Sequence, residues 1–334
     1  MKDIVFESAD VVKKALECNF SRMYKTTNNT VIEFMQLSEN YTFFVIIGKT
    51  KRILRVYRPL YHSFEDLQSE TFWINKLKKD TQLTIPKVVS GLDGNMIQTF
   101  KSVSGEITYY CSMFTYLDGT LAAKLELKGN ELMKKMISVG QISASLHNYV
   151  IKNDFHIPRF QWDFESMFGH DAVWGDWCKC SVLSKNDIER IETALCIIER
   201  RLKKYGKGFD RYGLIHGDIR FNNIIIKGNK LQIIDFDDCG YSWFLYDLAC
   251  SVMEFNEHID EMIDAWLTGY QGIRKLSPEE IAEIPTFILM RRILRYAWIS
   301  SRADTQTAKN IDIKTFHKKT LQLAEKYIED NLEV

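Results

Sequence analysis

The stretch LIHGDIRFNNIIIKGNKLQIIDFDD, residues 214–238, is the most informative part of this chain of 334 residues. A His-Gly-Asp tripeptide ends at Asp218, Asn223 follows five residues later, and Asp235 comes at the end of an apolar run that is typical of a strand. Asp218 and Asn223 must lie close in space because only four residues separate them. The Gly-Asn turn at 228–229 folds the later strand back beside the earlier one. The sequence therefore predicts that three oxygen-bearing side chains converge.

These three side chains are the types that phosphoryl transfer needs. The reaction requires a carboxylate that reaches the acceptor hydroxyl, and oxygen ligands that hold Mg²⁺ against the phosphates of a nucleotide. The alternative interpretation is an ordinary loop, with Asp235 at the solvent-exposed end of a strand. That alternative is the better one for the tripeptide alone, but the spacing to Asn223 and the apolar strand before Asp235 favour a catalytic site.

The same residues resemble a known family. The pattern HGDxxxxN followed by IIDFD is similar to that of the aminoglycoside phosphotransferase and choline-kinase-like family, which has the two-lobed protein-kinase-like fold. Further segments that resemble the family span most of the chain: the hairpin at 41–57, SETFW at 69–73, CSMFTYLDG at 111–119 and YDLA at 246–249. The resemblance implies that Asp218 is the catalytic base and that Asn223 and Asp235 bind Mg²⁺. It also implies an α+β fold with a β-rich N-terminal lobe and a mostly helical C-terminal lobe.

The resemblance extends to a residue that contacts nucleotide phosphates. Members of the family pair a lysine on the third strand with a glutamate on the following helix. Here the matching strand has the sequence RILRVYR, so Arg55 takes the lysine position and Glu70 is its expected partner. Arginine keeps the positive charge and adds a planar fork of donors, but it is not equivalent to lysine. The alternative is that Arg55 is a plain charge on the strand surface, and Arg58 is a weaker candidate for the same role.

The loop expected to cover the phosphates departs from the protein-kinase pattern. No GxGxxG sequence lies near the first hairpin, and LSENYT at 37–42 stands between two strands instead. Ser38 and Asn40 are expected to offer donors to the nucleotide together with backbone N–H groups, although both are also ordinary turn residues. Residues 113–117 resemble the hinge between lobes, where backbone groups would hold the base. The sequence therefore does not decide between ATP and GTP.

Secondary-structure signals divide the chain near residues 116–119. We interpret residues 1–116 as an N-terminal nucleotide-binding lobe, and residues 117–334 as a helical C-terminal lobe with the catalytic loop and the substrate site. Periodicity and turn residues predict helices at 8–18, 64–78, 130–150 and 184–205, a helix-rich region at 250–334, and strands at 31–36, 41–47, 52–57, 86–90, 95–101, 107–116, 223–226 and 231–234. Ser8 is the candidate N-cap of the first helix.

Composition limits the partners and the compartment. The 44 basic and 44 acidic residues cancel, so no net charge favours nucleic acid or an acidic membrane surface. No run approaches the roughly 18 apolar residues of a membrane span, and Asp3, Glu7 and Asp10 interrupt the segment where a signal peptide would be apolar. The seven cysteines are an odd, scattered set, which is typical of reduced thiols in the cytoplasm.

Several residues near the motif have two interpretations. Asp247 resembles an aspartate that braces the catalytic loop, and His147 is expected to be a buried, hydrogen-bonded residue rather than a ligand. Asp237 and Asp238 extend the acidic cluster. Either one of them helps to hold the metal or faces a cationic substrate, or both simply end a strand in solvent.

Three tryptophans and three arginines are also ambiguous. The resemblance places the tryptophans near the acceptor, where aromatic walls suit a sugar, a ring or a cation, but packing of a small helical insertion is the favoured interpretation. The arginines recur at helical spacing and are expected on a solvated or bracing face rather than in a substrate clamp. The residues are Trp162, Trp174, Trp177, Arg291, Arg292 and Arg295.

The sequence thus predicts a cytoplasmic, Mg²⁺-dependent phosphotransferase that moves the γ-phosphoryl of ATP or GTP to a hydroxyl of a small molecule. The acidic cluster favours a cationic acceptor, and aminoglycoside-, choline- and homoserine-like compounds all fit the resemblance. One alternative is a protein Ser/Thr kinase of the same fold. Another is a nucleotide-binding pseudokinase. The absence of the lysine and of a glycine-rich loop favours this alternative, whereas the presence of Asp218, Asn223 and Asp235 argues against it.

Overall fold

The computed structural model describes residues 7–303 and 305–331, without the side chain of Gln306. Asp3 therefore lies outside the described residues, and so do Asp304 and the last three residues of the predicted helical region. The chain forms two compact units: the first comprises the residues up to Gly119 with Gln232–Ile234, and the second comprises Thr120–Leu231 with the residues from Asp235 onward. The first is rich in β-strands and the second is mostly helical, so the predicted α+β class is confirmed.

The elements follow the chain in this order. The strands are β1 (Val31–Leu37), β2 (Tyr41–Ile47), β3 (Thr50–Val56), β4 (Val88–Val89), β5 (Gln98–Lys101), β6 (Thr108–Thr115), β7 (Thr120–Leu121), β8 (Tyr212–Ile215), β9 (Ile224–Lys227), β10 (Lys230–Ile233) and β11 (Gly240–Trp243). The helices are α1 (Ala9–Met23), α2 (Phe64–Asp80), α3 (Gly129–Asn153), α4 (Phe164–Phe168), α5 (Lys185–Tyr205), α6 (Leu245–Val252), α7 (Ile259–Gln271), α8 (Pro278–Ala282), α9 (Ile284–Ser301), α10 (Gln306–Lys309) and α11 (Ile313–Glu329). Short 3₁₀ turns occupy Ala122–Lys124, Trp177–Lys179 and Phe221–Asn223.

The first unit is built on an antiparallel sheet with the strand order β1-β2-β3-β6-β4, and β5 also pairs with β6. Strand β2 has the predicted bounds, and its alternate residues Tyr41, Phe43 and Val45 are buried, as a strand with one face on a core requires. Strand β3 begins at Thr50, two residues before the predicted start. The turn is shorter than expected because Gly48 adopts a left-handed conformation with φ of 61°.

Two helices accompany this sheet. The predicted N-cap of α1 is confirmed, since the Ser8 hydroxyl accepts a hydrogen bond from the Val11 N–H. The helix continues five residues beyond its predicted end because Phe20 and Met23 still pack into the core that it shares with β2, β3 and β6. Helix α2 begins with a capping box between Ser63 and Asp66, which fixes the helix at the predicted residue.

Most of the quoted motif lies in the second unit, which also contains two short strands that the sequence did not reveal. Strand β8 pairs antiparallel with β11, with Ile215 opposite Gly240. This register brings the residues that follow β8 and the residues that precede β11 to the same end of the pair. Each strand has only four residues and no clear alternation, so periodicity does not detect them.

Helices form the rest of the second unit. Helices α3 and α7 approach so closely that a Cβ at Gly269 would overlap the backbone carbonyl of Ile137. Helix α9 is buried over most of its length, and this includes the arginines of the sequence RRILR. In the part of the chain that the structure describes, none of the helices is long and apolar enough to cross a membrane.

Candidate active site

The loop after β8 is fixed by its glycine and by a buried aspartate. Gly217 has φ of 80°, and a Cβ there would overlap the carbonyl of Asp238, so only glycine fits this turn. The carboxylate of Asp247 on α6 accepts hydrogen bonds from the backbone N–H groups of His216, at 3.2 Å, and of Gly217, at 2.8 Å. Asp247 therefore braces the loop that presents Asp218, as predicted.

A second layer of buried groups holds Asp247. His147 on α3 places Nε2 3.1 Å from Oδ2 of Asp247 and Nδ1 2.8 Å from the hydroxyl of Tyr270 on α7. Burial lowers the pKa of His147, although hydrogen bonding to Asp247 acts in the opposite direction. The predicted role of His147 as a buried, hydrogen-bonded residue is confirmed, and it is neutral at physiological pH.

The carboxylate of Asp218 lies between two guanidinium groups. Its Oδ1 accepts a hydrogen bond from Nη2 of Arg291 at 2.7 Å, and its Oδ2 accepts from Nε of Arg220 at 2.9 Å and from Nδ2 of Asn223 at 2.8 Å. Burial alone would raise the pKa of Asp218, but the charges of Arg220 and Arg291 outweigh it and hold the pKa below the usual range. Asp218 is therefore an ionised hydrogen-bond acceptor at neutral pH.

The charged cluster continues on the other side of Arg220. Its Nη1 donates to Oε1 of Glu254 at 2.7 Å, so one guanidinium bridges two carboxylates. Arg291 reaches Asp218 from α9, and its guanidinium also lies over the ring of Trp174, 5.0 Å from the centroid. The orientation of the Asp218 carboxylate is thus set from both sides by charge-assisted hydrogen bonds.

Asn223 and Asp235 are the two residues predicted to bind Mg²⁺. Nδ2 of Asn223 donates hydrogen bonds to the backbone and side-chain oxygens of Asp218, so its Oδ1 is the amide atom that a metal ion would contact. Asp235 has φ of 65°, in the left-handed region that aspartate adopts more readily than most non-glycine residues. The ring of Phe236 lies 4.6 Å from that of His216, so the loop after β10 lies against the catalytic loop.

The described residues contain no group of three His, Cys, Asp or Glu side chains close enough to hold a metal ion. Mg²⁺ at kinase sites is held by one or two protein ligands together with substrate phosphates and water rather than by a full cage of side chains. A set of one carboxylate and one amide oxygen fits that pattern. The assignment of Asn223 and Asp235 as metal ligands stays a prediction.

In the first unit, the expected pair of Arg55 and Glu70 is present. Nη1 of Arg55 lies 2.8 Å from Oε1 of Glu70, and the two side chains are 11% and 0% exposed. The guanidinium also lies near the rings of Tyr57 and Phe114, at 5.7 and 5.4 Å from the centroids. The alternative of a plain surface charge is therefore wrong, while contact between Arg55 and a nucleotide stays a prediction.

The loop between β1 and β2 is organised by Asn40. Its Oδ1 accepts a hydrogen bond from the Arg58 N–H at 2.9 Å, and the side chain is buried. Ser38 is partly exposed, and its N–H faces the carbonyl of Asn40 at 3.5 Å. Arg58 itself pairs with Glu39 at 3.5 Å. Asn40 thus ties the loop to the end of β3, and the proposed roles of Ser38 and Asn40 toward a nucleotide stay predictions.

The arginines of α9 do not lie on a solvated face, so that part of the expectation is wrong. Arg291, Arg292 and Arg295 are all buried. Arg292 braces α11 by donating to the Thr320 hydroxyl and the Phe316 carbonyl, both at 3.0 Å. Helical spacing shows that arginines share a face, but it does not show which carboxylates that face will meet.

The three tryptophans are buried, as the packing interpretation predicts. Trp162 donates from Nε1 to the carbonyl of Asp238 at 2.7 Å, and its ring packs edge-on against Trp174 at 5.1 Å. Since Trp174 lies against Arg291, this packed group also contacts the residues that hold Asp218. Binding of an acceptor by Trp162, Trp174 or Trp177 stays a prediction.

Sequence reasoning missed Arg220 and Arg291 as partners of Asp218. Arg220 lies two residues after Asp218 within the quoted motif, and this spacing was a signal that could have identified it. Arg291 lies 73 residues away in sequence, so its contact with Asp218 depends on the tertiary fold.

Residues 31–281, which make up most of the chain, match the model of the phosphotransferase enzyme family. The chain belongs to this family. The match includes the catalytic loop, the pair of Arg55 and Glu70, and Asp235.

Similar proteins are kinases of small molecules. A solved structure of a microcompartment-associated aminopropanol kinase is 28% identical, covers 97% of this chain and 98% of its own, and superposes with a TM-score of 0.83. The amicoumacin kinase of Bacillus subtilis (strain 168) is 21% identical over 321 residues, which are 92% of this chain and 89% of that protein. A structure of an amicoumacin kinase in complex with AMP-PNP, Ca²⁺ and Ami is 18% identical, covers 96% of this chain and 94% of its own, and has a TM-score of 0.73.

The pairing of Asp218 with two arginines predicts a pH-dependent contribution to stability. Asp218→Asn should lower the free energy of unfolding by about 3–5 kcal/mol at pH 7, because it leaves buried guanidinium groups without their carboxylate. Since the folded-state pKa of Asp218 is lowered, this contribution is complete above the unfolded pKa of about 3.9 and is lost as the pH falls through the folded value. Urea unfolding of both proteins between pH 7 and about pH 3.5 measures the difference.

The exposed Asp171→Asn variant is the control and should match the wild type throughout this range. A difference between wild type and Asp218→Asn that stays constant or widens on acidification would show that the arginines do not hold Asp218 ionised.

Proposed function

We propose that this protein transfers the γ-phosphoryl group of ATP, bound with Mg²⁺, to a hydroxyl of a small molecule. The observation that carries the proposal is the ionised Asp218 carboxylate, which two guanidinium groups and Asn223 hold on a braced loop in a chain of the phosphotransferase enzyme family. A buried, ionised carboxylate can accept a hydrogen bond from the hydroxyl of an alcohol and so orient it for attack on a phosphoryl group.

In the proposed mechanism, Asp218 accepts a hydrogen bond from the acceptor hydroxyl and receives its proton as the new P–O bond forms. The bond between the γ-phosphorus and the β,γ-bridging oxygen breaks in the same step, and ADP leaves. A carboxylate with a lowered pKa is a weak base, so Asp218 mainly orients the hydroxyl and takes the proton late. Asn223 and Asp235 would hold the metal ion, which when bound would neutralise charge on the nucleotide phosphates. Arg55, held by Glu70, contacts the phosphates as the family resemblance implies.

Support for the donor and the acceptor comes from similar proteins. The amicoumacin kinase structure contains AMP-PNP with Ca²⁺, which supports an ATP-type donor and a divalent cation. Aminopropanol and amicoumacin, named for the similar kinases, are small molecules, which supports a small-molecule acceptor over a protein. We also place the enzyme in the cytoplasm, because all seven cysteines are free thiols.

The two alternatives are less well supported. A protein Ser/Thr kinase is not favoured because the similar kinases act on small molecules. A pseudokinase was suggested by the missing lysine, but Arg55 makes the ion pair with Glu70 that the lysine would make. Asp218 also retains an environment that keeps it ionised.

Binding of the nucleotide and the metal is tested through Asp235. Mg²⁺ with ATP should raise the melting temperature of the wild type, because a ligand that binds only the folded state stabilises it. Asp235→Asn should lose most of this increase, since it removes the carboxylate ligand of the metal. Thermal shift with ATP and with GTP, each with and without Mg²⁺, measures both the metal dependence and the choice of base.

Transfer is then measured as ADP formation with 1-aminopropan-2-ol, L-homoserine, choline and kanamycin as acceptors. Turnover with any of them, absent in Asp235→Asn, supports the proposal. Binding of Mg²⁺ and ATP without turnover of any acceptor or of a basic protein would favour the pseudokinase instead, and phosphorylation of the protein alone would favour the protein kinase.

The role of Arg55 can be separated from its structural pairing. Arg55→Met should raise the Kd for Mg²⁺-ATP by about 10- to 100-fold, because losing a hydrogen bond to a charged group usually weakens binding by about this factor. It should also destabilise the protein, because the buried Glu70 loses its guanidinium. Isothermal titration and urea unfolding measure the two effects.

The matched control is the double variant Arg55→Met with Glu70→Gln, which removes both charges. It should recover most of the stability while the Kd for Mg²⁺-ATP stays high. If the double variant binds Mg²⁺-ATP as tightly as the wild type, Arg55 is only a structural cation.

A further inference from the structure

A series of side-chain hydrogen bonds leads from Arg274, just after α7, toward the catalytic loop. Nη1 of Arg274 donates to the hydroxyl of Tyr270 at 3.3 Å, and this hydroxyl also lies 2.8 Å from Nδ1 of His147. A guanidinium has donors only, so the Tyr270 oxygen accepts in the first bond. Burial raises the pKa of Tyr270, so the hydroxyl keeps its proton. Among the described residues, His147 is the only partner to which Tyr270 can donate that proton.

The same donor direction continues through the imidazole of His147. Burial lowers the pKa of His147 and outweighs the opposing effect of Asp247, and the charge of Arg274 acts in the same direction as burial. The ring is therefore neutral and carries one N–H proton. Because Nδ1 accepts from Tyr270, that proton lies on Nε2, which donates to Oδ2 of Asp247 at 3.1 Å. The series thus begins at a guanidinium, which only donates, and ends at a carboxylate, which only accepts, so both ends require the same direction.

Packing fixes the two rings in the middle of this series. His147 stacks on Phe244 with a centroid distance of 4.5 Å and an interplanar angle of 14°. Helices α3 and α7, which carry His147 and Tyr270, approach so closely that a Cβ at Gly140 would overlap the backbone carbonyl of Trp266. Both rings are fully buried, so solvent does not replace a lost hydrogen-bond partner.

Arg274 is anchored on its other side. Nη2 donates to Oε1 of Glu280 on α8 at 3.1 Å and to the backbone carbonyl of Asp210. The side chains of Arg274 and Glu280 are 11% and 7% exposed, so this end of the series lies closer to solvent than the enclosed rings. The direction of the bonds is therefore set at the end of the series that does not contact the catalytic loop.

The carboxylate of Asp247 divides its oxygens between this series and the catalytic loop. Oδ2 accepts from Nε2 of His147 and from the His216 N–H, whereas Oδ1 accepts from the Gly217 N–H. Without the bond from His147, Oδ2 would keep only the 3.2 Å bond to the loop, and the carboxylate could rotate about its Cβ–Cγ bond. The orientation that holds the two residues directly before Asp218 therefore depends on His147.

We propose that Tyr270 and Arg274 are positioning residues for Asp218. They act through His147 and Asp247, by hydrogen bonds whose donors all point toward the catalytic loop. This inference rests on the proposed function and extends it to residues outside that loop. Hydrogen bonds in a buried series strengthen one another, so loss of the Tyr270 hydroxyl weakens the bond that His147 donates. A displaced catalytic carboxylate slows the chemical step, while nucleotide binding is unaffected.

Tyr270→Phe removes the hydroxyl and keeps the ring. With Mg²⁺-ATP and the best acceptor found, kcat should fall about tenfold, while KM and the Kd for Mg²⁺-ATP change by less than about twofold. The matched control is Tyr327→Phe, which removes a buried hydroxyl that lies 2.8 Å from the Thr286 hydroxyl. Both variants should have a lower melting temperature, but Tyr327→Phe should keep the kcat of the wild type. A fall of kcat that is equal in the two variants, or absent from both, overturns the inference.

A double-mutant cycle tests whether Tyr270 acts through His147. His147→Phe removes both ring nitrogens and should lower kcat at least as much as Tyr270→Phe does. Adding Tyr270→Phe to His147→Phe should then change kcat by less than about twofold, because the series is already broken. His147→Gln is the conservative variant, since its amide offers both a donor and an acceptor, and it should recover most of kcat. Losses that multiply fully in the double variant show that the two residues act separately and overturn the inference.

Two further measurements do not depend on turnover. ¹⁵N NMR of the histidine-labelled wild type should show a protonated Nε2 and an unprotonated Nδ1 at His147, whose signals are identified by their absence from His147→Gln. Hydrogen exchange at the Gly217 amide should be faster in Tyr270→Phe than in the wild type and in Tyr327→Phe. A proton on Nδ1 of His147, or equal exchange at Gly217 in all three proteins, overturns the inference.

These outcomes separate the inference from the proposed function. Absence of Mg²⁺-ATP binding, or of transfer to any acceptor, overturns the proposed function, while the proton position and the exchange rate still show whether the series holds the loop. Transfer by the wild type together with an unchanged kcat in Tyr270→Phe overturns the inference alone.

Discussion

The ion pairs that hold the Asp218 carboxylate between Arg220 and Arg291 are the interaction on which the rest of the site depends. Burying one carboxylate and two guanidinium groups is unfavourable unless every donor and acceptor is well placed. The requirement explains the surrounding structure: the catalytic loop is fixed by Asp247, and Asn223 completes the hydrogen bonds of the carboxylate. Helix α9 is buried, and it places the guanidinium of Arg291 beside the Asp218 carboxylate.

The same ion pairs set the chemistry. They keep Asp218 ionised, and they also make it a weak base, which is sufficient for a reaction whose transition state is loose and needs positioning more than deprotonation.

Local patterns in the sequence predicted the fold well, and distant contacts were less accessible. Strand β2, the N-cap at Ser8 and the converging set of Asp218 with Asn223 follow from alternation, turn residues and short spacing. Strands β8 and β11 were missed because four residues give no period. Arg291 was assigned to a solvated or bracing face because a helical repeat of arginines does not reveal a carboxylate that lies 73 residues away. The pair of Arg55 and Glu70 was predicted only through the family resemblance.

The central claim is that Asp218 orients the acceptor hydroxyl and takes its proton. The most direct test compares wild type with Asp218→Asn, using saturating Mg²⁺-ATP and the best acceptor found, and measures kcat together with the Kd for Mg²⁺-ATP. We expect kcat to fall by about 10²- to 10⁴-fold, while the Kd changes by less than about threefold. A kcat that stays within about threefold of the wild type would show that Asp218 does not have this role.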